Sequence, residues 1–386
     1  MKRVRRCALL VGAVVTAGVG LGAPVHAAGV RPSDGVVAEG LTDPFGLTNS
    51  GRHLVVTEAG AGQVRTIDTR TGQVATVVEG LGPYAAASAV KIGDRFVIVT
   101  GEDDAGAVPA SSVLVAKAGG TPRQRADLLA HELENNPDGQ TQFGPEGEPL
   151  DALSNPFAVM RDRSHKGFVL VADGGANDVL RVRRDGDVET FFVPPTVNTG
   201  ACEGLPNNDE NTVGCDAVPT GLAYSPDKKK IYVSALTAEV PGEGRVYVVD
   251  AKTGKLHHVI KGFSAPTGVE VKWSGAVFVS ELLEGLPAGE PGPDFDPSTV
   301  GQIVKVRPDG ARSASQVTMP VGLVAVRGQL YSTAWSVAGL FLGATGLGQV
   351  VEVADGSFES ISSGGDARRG RPSGLGDTMR LRGALR

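Results

Sequence analysis

One phrase recurs about six times beyond the first thirty residues, and it decides what this chain can fold into. It reads proline, one residue, glycine, an apolar pair, a short polar gap, then a β-branched run ending in Thr or Ser and often Glu or Asp. A Gly-x-Val follows, and a second β run closes near Asp-x-x-Gly. The clearest copies open at Pro44, Pro219, Pro266 and Pro320. Pro156 opens a fifth, and residues 84–90 form a worn second copy. A unit this small is one sheet that cannot bury both faces alone, so the copies must stack.

Strands are easy to place within each copy. The runs 53–58, 95–100, 167–173, 230–234, 276–281 and 329–333 are versions of one strand, rich in apolar, β-branched and aromatic residues. Such runs suit strands covered on both faces. The next strand is 63–68, 112–116, 178–182, 245–250, 302–306 and 349–353 in turn. Thr71-Gly72, Asp185-Gly186, Thr253-Gly254 and Asp309-Gly310 supply tight-hairpin chemistry after it. With 54 glycines and 24 prolines in 386 residues, the chain has turns enough for one large all-β domain. Six copies of a four-stranded meander describe a six-bladed β-propeller. The outer-strand phrase at 36–41 precedes the first copy and has no blade of its own, while the last copy fades after Val353. The N-terminal strand is therefore expected to complete blade six beside 350–353, leaving no raw edge.

The ends differ from the body. Lys2, Arg3, Arg5 and Arg6 precede an apolar stretch over 8–22, and a small-residue site follows, with cleavage expected after Ala27. Residues 1–27 thus read as a signal peptide for the general secretory route, and the mature protein as secreted and without a stable membrane span. A membrane anchor is the competing reading. Beyond the signal only Cys202 and Cys215 remain, flanking a Gly/Asn-rich loop with no histidine beside them. Either they form a disulfide, worth about 3 kcal/mol for a ring this short, or they begin a metal site. The whole chain carries −6. The signal contributes +4 of that and the tail beyond Ser360 another +4, so the body carries −14. Such a body disfavours nucleic acid and anionic membranes as partners. The propeller is expected over 28–358, with an Arg/Gly-rich disordered tail over 359–386.

Three segments exceed blade length: 101–155, 194–218 and 282–300. The first holds a helix expected over roughly 123–134, with Leu128, Leu129 and Leu133 on one face. Long insertions on a rigid scaffold are where function is usually carried. His131-Glu132-Leu133-Glu134-Asn135 starts like a zinc-protease helix but has Asn at the second ligand position. Asp294-Phe295-Asp296 starts like a calcium loop but lacks its glycine and its final acid. What remains is a ring of polar residues after the second strands: Glu58, Glu102, Asp103, Asp173, Asn177, Thr237, Glu281, Trp335 and Ser336. In a propeller those positions converge on one mouth of the channel, where carboxylates and amides could hold a divalent cation or a polar ligand. The plainer alternative is that they only shape the turns.

The segments 133–139, 154–159 (Ser-Asn-Pro-Phe-Ala-Val) and 171–182 (Val-Ala-Asp-Gly-Gly-Ala-Asn-Asp-Val-Leu-Arg-Val), with Pro219-Thr220-Gly221-Leu222, resemble the signature of the ScyD/ScyE family. The resemblance spans about residues 30–356. It implies an exported propeller similar to NHL-repeat proteins, and it brings no catalytic residues with it. Two function classes follow. One is a non-catalytic binding module for an extracellular carbohydrate, peptide or protein, with Glu58, Asp173, Asn177, Glu281 and Trp335 as ligand-binding residues. The other is a lactonase-like, metal-assisted hydrolase or lyase holding one divalent ion such as calcium at the channel mouth.

Overall fold

The computed structural model describes residues 35–102, 106–164, 168–287 and 291–361. Six antiparallel sheets follow one another along them, and in the first five the blade strands pair in chain order from inner to outer edge. Blade 1 is Pro44–Ser50, His53–Glu58, Gln63–Asp68 and Val74–Val78; blade 2 is Ala86–Ile92, Arg95–Thr100, Ser112–Lys117 and Arg123–Asp127. Blade 3 is Pro156–Arg161, Val169–Asp173, Asp178–Val182 and Val188–Phe192; blade 4 is Pro219–Tyr224, Lys230–Ala235, Gly244–Asp250 and Leu256–Phe263. Blade 5 is Pro266–Val271, Val277–Glu281, Gln302–Val306 and Arg312–Gln316. Blade 6 takes Leu323–Val326, Gln329–Ala334 and Gly348–Val353 from the end of the chain and Val36–Leu41 from its start. Val36 pairs with Val351, Ala38 with Val350 and Leu41 with Gly348, so the ring closes as expected.

Each part of the repeated phrase has a job in that ring. The proline starts the inner strand, where a missing N–H costs no ladder bond. A bulge follows it in blades 1, 3, 4 and 5. The glycine sits where neighbouring inner strands crowd the axis. A Cβ on Gly46 would lie 2.7 Å from Cα of Ser88, and one on Gly268 would lie 2.5 Å from the carbonyl oxygen of Val321. The hydroxyl near the end of the second strand then staples blades together. Thr57 accepts the Gly46 N–H at 2.8 Å and donates to the carbonyl of Ala87 in blade 2 at 2.8 Å. Thr333 accepts the Gly322 N–H at 2.8 Å in the same way.

The core is divided among the blade interfaces. One apolar cluster fills each of the six, for example Leu54, Ile67 and Tyr331 between blades 6 and 1, and Leu170, Ile231 and Tyr247 between blades 3 and 4. Burying each such side chain contributes about 1.5–3 kcal/mol, which is why the blades stack rather than separate.

Two sequence expectations change. The helix begins at Leu128, not near 123, because Arg123–Asp127 is needed as the outer strand of blade 2, pairing with 112–115. Asp127 caps the helix by accepting the Ala130 N–H. Its buried side chains are Leu128 and Glu132, while Leu133 is exposed. Residues Glu359–Ser360, assigned to the tail, instead add a short fifth strand to blade 5, with Ser313 opposite Ser360. The signal over 1–27 and the tail from 362 lie outside the described residues. Among the described residues no helix is long and apolar enough to cross a membrane.

Candidate functional site

A four-stranded meander puts its second-to-third connections, and the connections into the next blade, on one face of the disc. All the long segments are of these two kinds: 101–111, 128–155, 193–218, 282–301 and 335–347. The opposite face has short turns among the described residues, such as 51–52, 93–94 and 225–229. The long-loop face is also polarised. Its connections contain no Lys or Arg at all, and every long one except the apolar 335–347 carries several Asp or Glu. The short turns opposite are mixed, with Arg52, Arg70, Lys228, Lys252, Lys272 and Arg307 among their acids.

Cys202 and Cys215 are joined in the 193–218 loop, with Cα atoms 5.3 Å apart. Val197 pairs across to Cys215 and Pro206 to Val213, so the loop is a small braced unit rather than a free excursion.

Glu58, Asp173, Asn177 and Glu281 of the expected polar ring are engaged in hydrogen bonds at their own turns and with neighbouring loops. Glu58 is spent within blade 1: it accepts from the Thr42 N–H at 2.7 Å, from Gln63 at 2.9 Å and from Arg65 at 2.9 Å. Glu281 does the same in blade 5, accepting from the Ser264 N–H at 2.9 Å and Gln302 at 2.6 Å; burial pushes its pKa up to about 7. Asp173 is fully buried and takes four bonds, from the Ser154 hydroxyl and the N–H groups of Asn155, Gly175 and Ala176. Asn177 spans two loops, donating to Asp138 at 3.1 Å and accepting the Val218 N–H at 3.2 Å. Ser336 bonds Thr333 at 2.9 Å, and Glu102 faces the Asn155 amide at 3.4 Å. Asp103 lies outside the described residues.

The channel mouth on the long-loop face is apolar. Phe45 of blade 1 and Phe157 of blade 3 meet across the axis with ring centroids 4.8 Å apart. Leu282, Val300, Met319 and Val337 close around them, and Trp335 packs half-buried against the same cluster. Surface grooves open on the opposite rim, around His53 and Lys91 and around Tyr232 and His258, away from all the ring residues.

Charge collects instead between blades 2 and 3. Where the second strand ends and the third begins, blade 1 pairs Glu58 with Gln63 and blade 5 pairs Glu281 with Gln302. At the same place blade 3 pairs Asp173 with Asp178. Asp178 is 0% exposed and neither of its oxygens has a hydrogen-bond partner. It lies on the strand face of Leu180 and Val182, which pack into the blade 2–3 interface. Glu132, one turn beyond Leu128 of the same cluster, comes in from the helix. Its Oε1 accepts from Gln142 at 2.9 Å and its Oε2 has no partner. Burial drives the pKa of Asp178 well above the ordinary carboxylate range, and Asp173, Glu132 and Asp138 add to the rise. Glu132 is pushed up to about 7, again mainly by burial. No Lys or Arg pairs with any of these four carboxylates among the described residues. Nor do three His, Cys, Asp or Glu side chains there form a ready ligand set, at the mouth or elsewhere.

No family model and no curated protein matches the chain. Solved structures do. A luciferin-regenerating enzyme is 12% identical over 84% of this chain and 95% of its own, with a TM-score of 0.52. The PQQ-bound aldose sugar dehydrogenase of Streptomyces coelicolor is 13% identical over 83% and 96%, with a TM-score of 0.50. A regucalcin of Agrobacterium tumefaciens, described as a calcium-binding protein, gives 13%, 82%, 93% and 0.49. The likeness is one of fold. These neighbours are six-bladed propellers, and so is this chain.

Asp178 and Glu132 escaped the sequence reading. Asp178 looked like the first residue of an ordinary strand, and Glu132 like the polar side of a leucine-faced helix. Lining up the strand-end pairs of all six blades was the signal available, since only blade 3 puts acid against acid there.

Proposed function

We propose that the protein is an exported binding propeller of the ScyD/ScyE type, whose acidic long-loop face docks a cationic peptide or protein segment. The observation that carries this reading is the polarity of the disc: no Lys or Arg in any connection on the elaborated face. A one-signed surface on a rigid scaffold raises the local concentration of oppositely charged partners and speeds their capture. Export by a signal over 1–27 is supported by the Cys202–Cys215 disulfide, a bond suited to oxidising compartments. Nucleic acid is repelled by the same surface.

The lactonase-like alternative needs a cation among Glu58, Asp173, Asn177 and Glu281. The oxygens of those residues already accept hydrogen bonds, which a cation would have to displace, and Phe45 and Phe157 pack together near them. The test is biolayer interferometry of the mature protein against a lysine/arginine-rich peptide, an acidic peptide and a neutral polysaccharide. Only the basic peptide should bind, with affinity falling steeply as salt rises. Exchanging exposed Glu146, Glu203 and Glu210 for Gln should weaken it several-fold. Salt-independent binding of the polysaccharide, or turnover of a lactone panel, would overturn the reading.

A further inference from the structure

Four oxygens between blades 2 and 3 are buried without a partner: both of Asp178, Oε2 of Glu132 and Oδ1 of Asn136. Asn136 caps the helix that carries Glu132, in the left-handed conformation, with its N–H bonded to the Glu132 carbonyl at 2.8 Å. Ionised carboxylates buried unpaired cost several kcal/mol each, so something must compensate them. All four atoms are acceptors, and one proton serves at most two of them, so protons alone satisfy the set only if Asp178 and Glu132 both carry one. Asp173, the neighbour that would share such a proton, already accepts four hydrogen bonds. A cation is the other compensation, a positive charge that several oxygens surround at once.

We infer that the blade 2–3 interface binds a hard divalent cation of the calcium class, held by Asp178 and Glu132 with the Asn136 amide oxygen. Calcium takes six to eight oxygens in irregular geometry, amide, carbonyl and water oxygens among them. Two carboxylates and one amide would supply the side-chain ligands, with backbone carbonyls and water completing the shell; no trio of acidic, His or Cys side chains forms a ready set among the described residues. Magnesium demands a near-octahedral set and is the poorer match. The ion would tie helix Leu128–Asn135 to the third blade. This site is off the axis and beneath the loops, and it does not depend on the docking proposal.

The experiment is thermal unfolding of the mature protein in chelator, calcium or magnesium, with calcium stoichiometry by titration calorimetry. Wild type should bind one calcium, and its Tm should rise by about 5 °C at a hundredfold excess over Kd, with a smaller rise for magnesium. Asp178→Asn copies the acid–amide pair of blades 1 and 5. It should be at least as stable as wild type in chelator and should lose the calcium response. Glu132→Gln supplies the second arm if that variant folds poorly, and Glu39→Gln, exposed on the outer strand of blade 6, should keep the full response. A wild type indifferent to cations, or stabilised only by lowering the pH, overturns the site. So does an Asp178→Asn protein that still gains the full shift.

Discussion

At the scale of single residues, the repeat is a set of close contacts with little slack. Gly268 has the carbonyl oxygen of Val321 only 2.5 Å from where a Cβ would be. Gly268→Ala must push two inner strands apart, and a loss of about 1–3 kcal/mol in urea unfolding is expected; an unchanged midpoint would contradict the crowding argument. The buried carboxylates set a pH dependence of definite sign. Glu132 and Glu281 both rise from 4.5 to about 7 through burial. Below 4.5 both folded and unfolded chains hold these protons, so the groups cost nothing. Between 4.5 and 7 the unfolded chain releases protons that the folded one keeps, and stability falls as pH rises. In chelator, a Glu132→Gln, Glu281→Gln protein should show a shallower fall across that window than wild type, read from urea midpoints. Equal slopes would mean the two groups are not buried as described.

At the scale of elements, the ring depends on what closes it. Val36–Leu41 is the outer strand of blade 6, and Ala38 and Leu41 belong to the cluster between blades 6 and 1. Removing residues 28–41 should expose a sheet edge and lower cooperativity of the entire unfolding transition, seen as a broad, early calorimetric melt; fraying confined to one end would contradict it. Opening the Cys202–Cys215 ring by Cys→Ser exchange at both positions should cost about 3 kcal/mol and act on the 193–218 loop, measured by hydrogen exchange. These elements were the legible part of the sequence. Strand order, closure and the cysteine pair all follow from periodicity and counting, because each is a local pattern repeated six times or a pairing of two residues. The helix start was misplaced because Arg123–Asp127 is polar and short, and only its pairing with Ser112–Lys117 makes it a strand.

At the scale of the whole molecule, the disc has a plain side and an elaborated side, and the connections of the elaborated side carry acids but no Lys or Arg. The residues that the sequence singled out on that side carry hydrogen bonds that periodicity does not reveal. Glu58, Asp173 and Glu281 share a position in the repeat, and a repeat position has a structural duty in every blade before it has a chemical one. Each accepts backbone and side-chain donors at its own turn. Function shows where one copy departs from the others, and Asp178 is that departure. The most direct measurement is anomalous diffraction from crystals of the mature protein grown with terbium as a calcium substitute. The account predicts one strong peak between blades 2 and 3, within bonding distance of Asp178 and Glu132, and none on the channel axis. A peak at the channel mouth among Glu58, Asp173 and Glu281, with nothing beside Asp178, would contradict it.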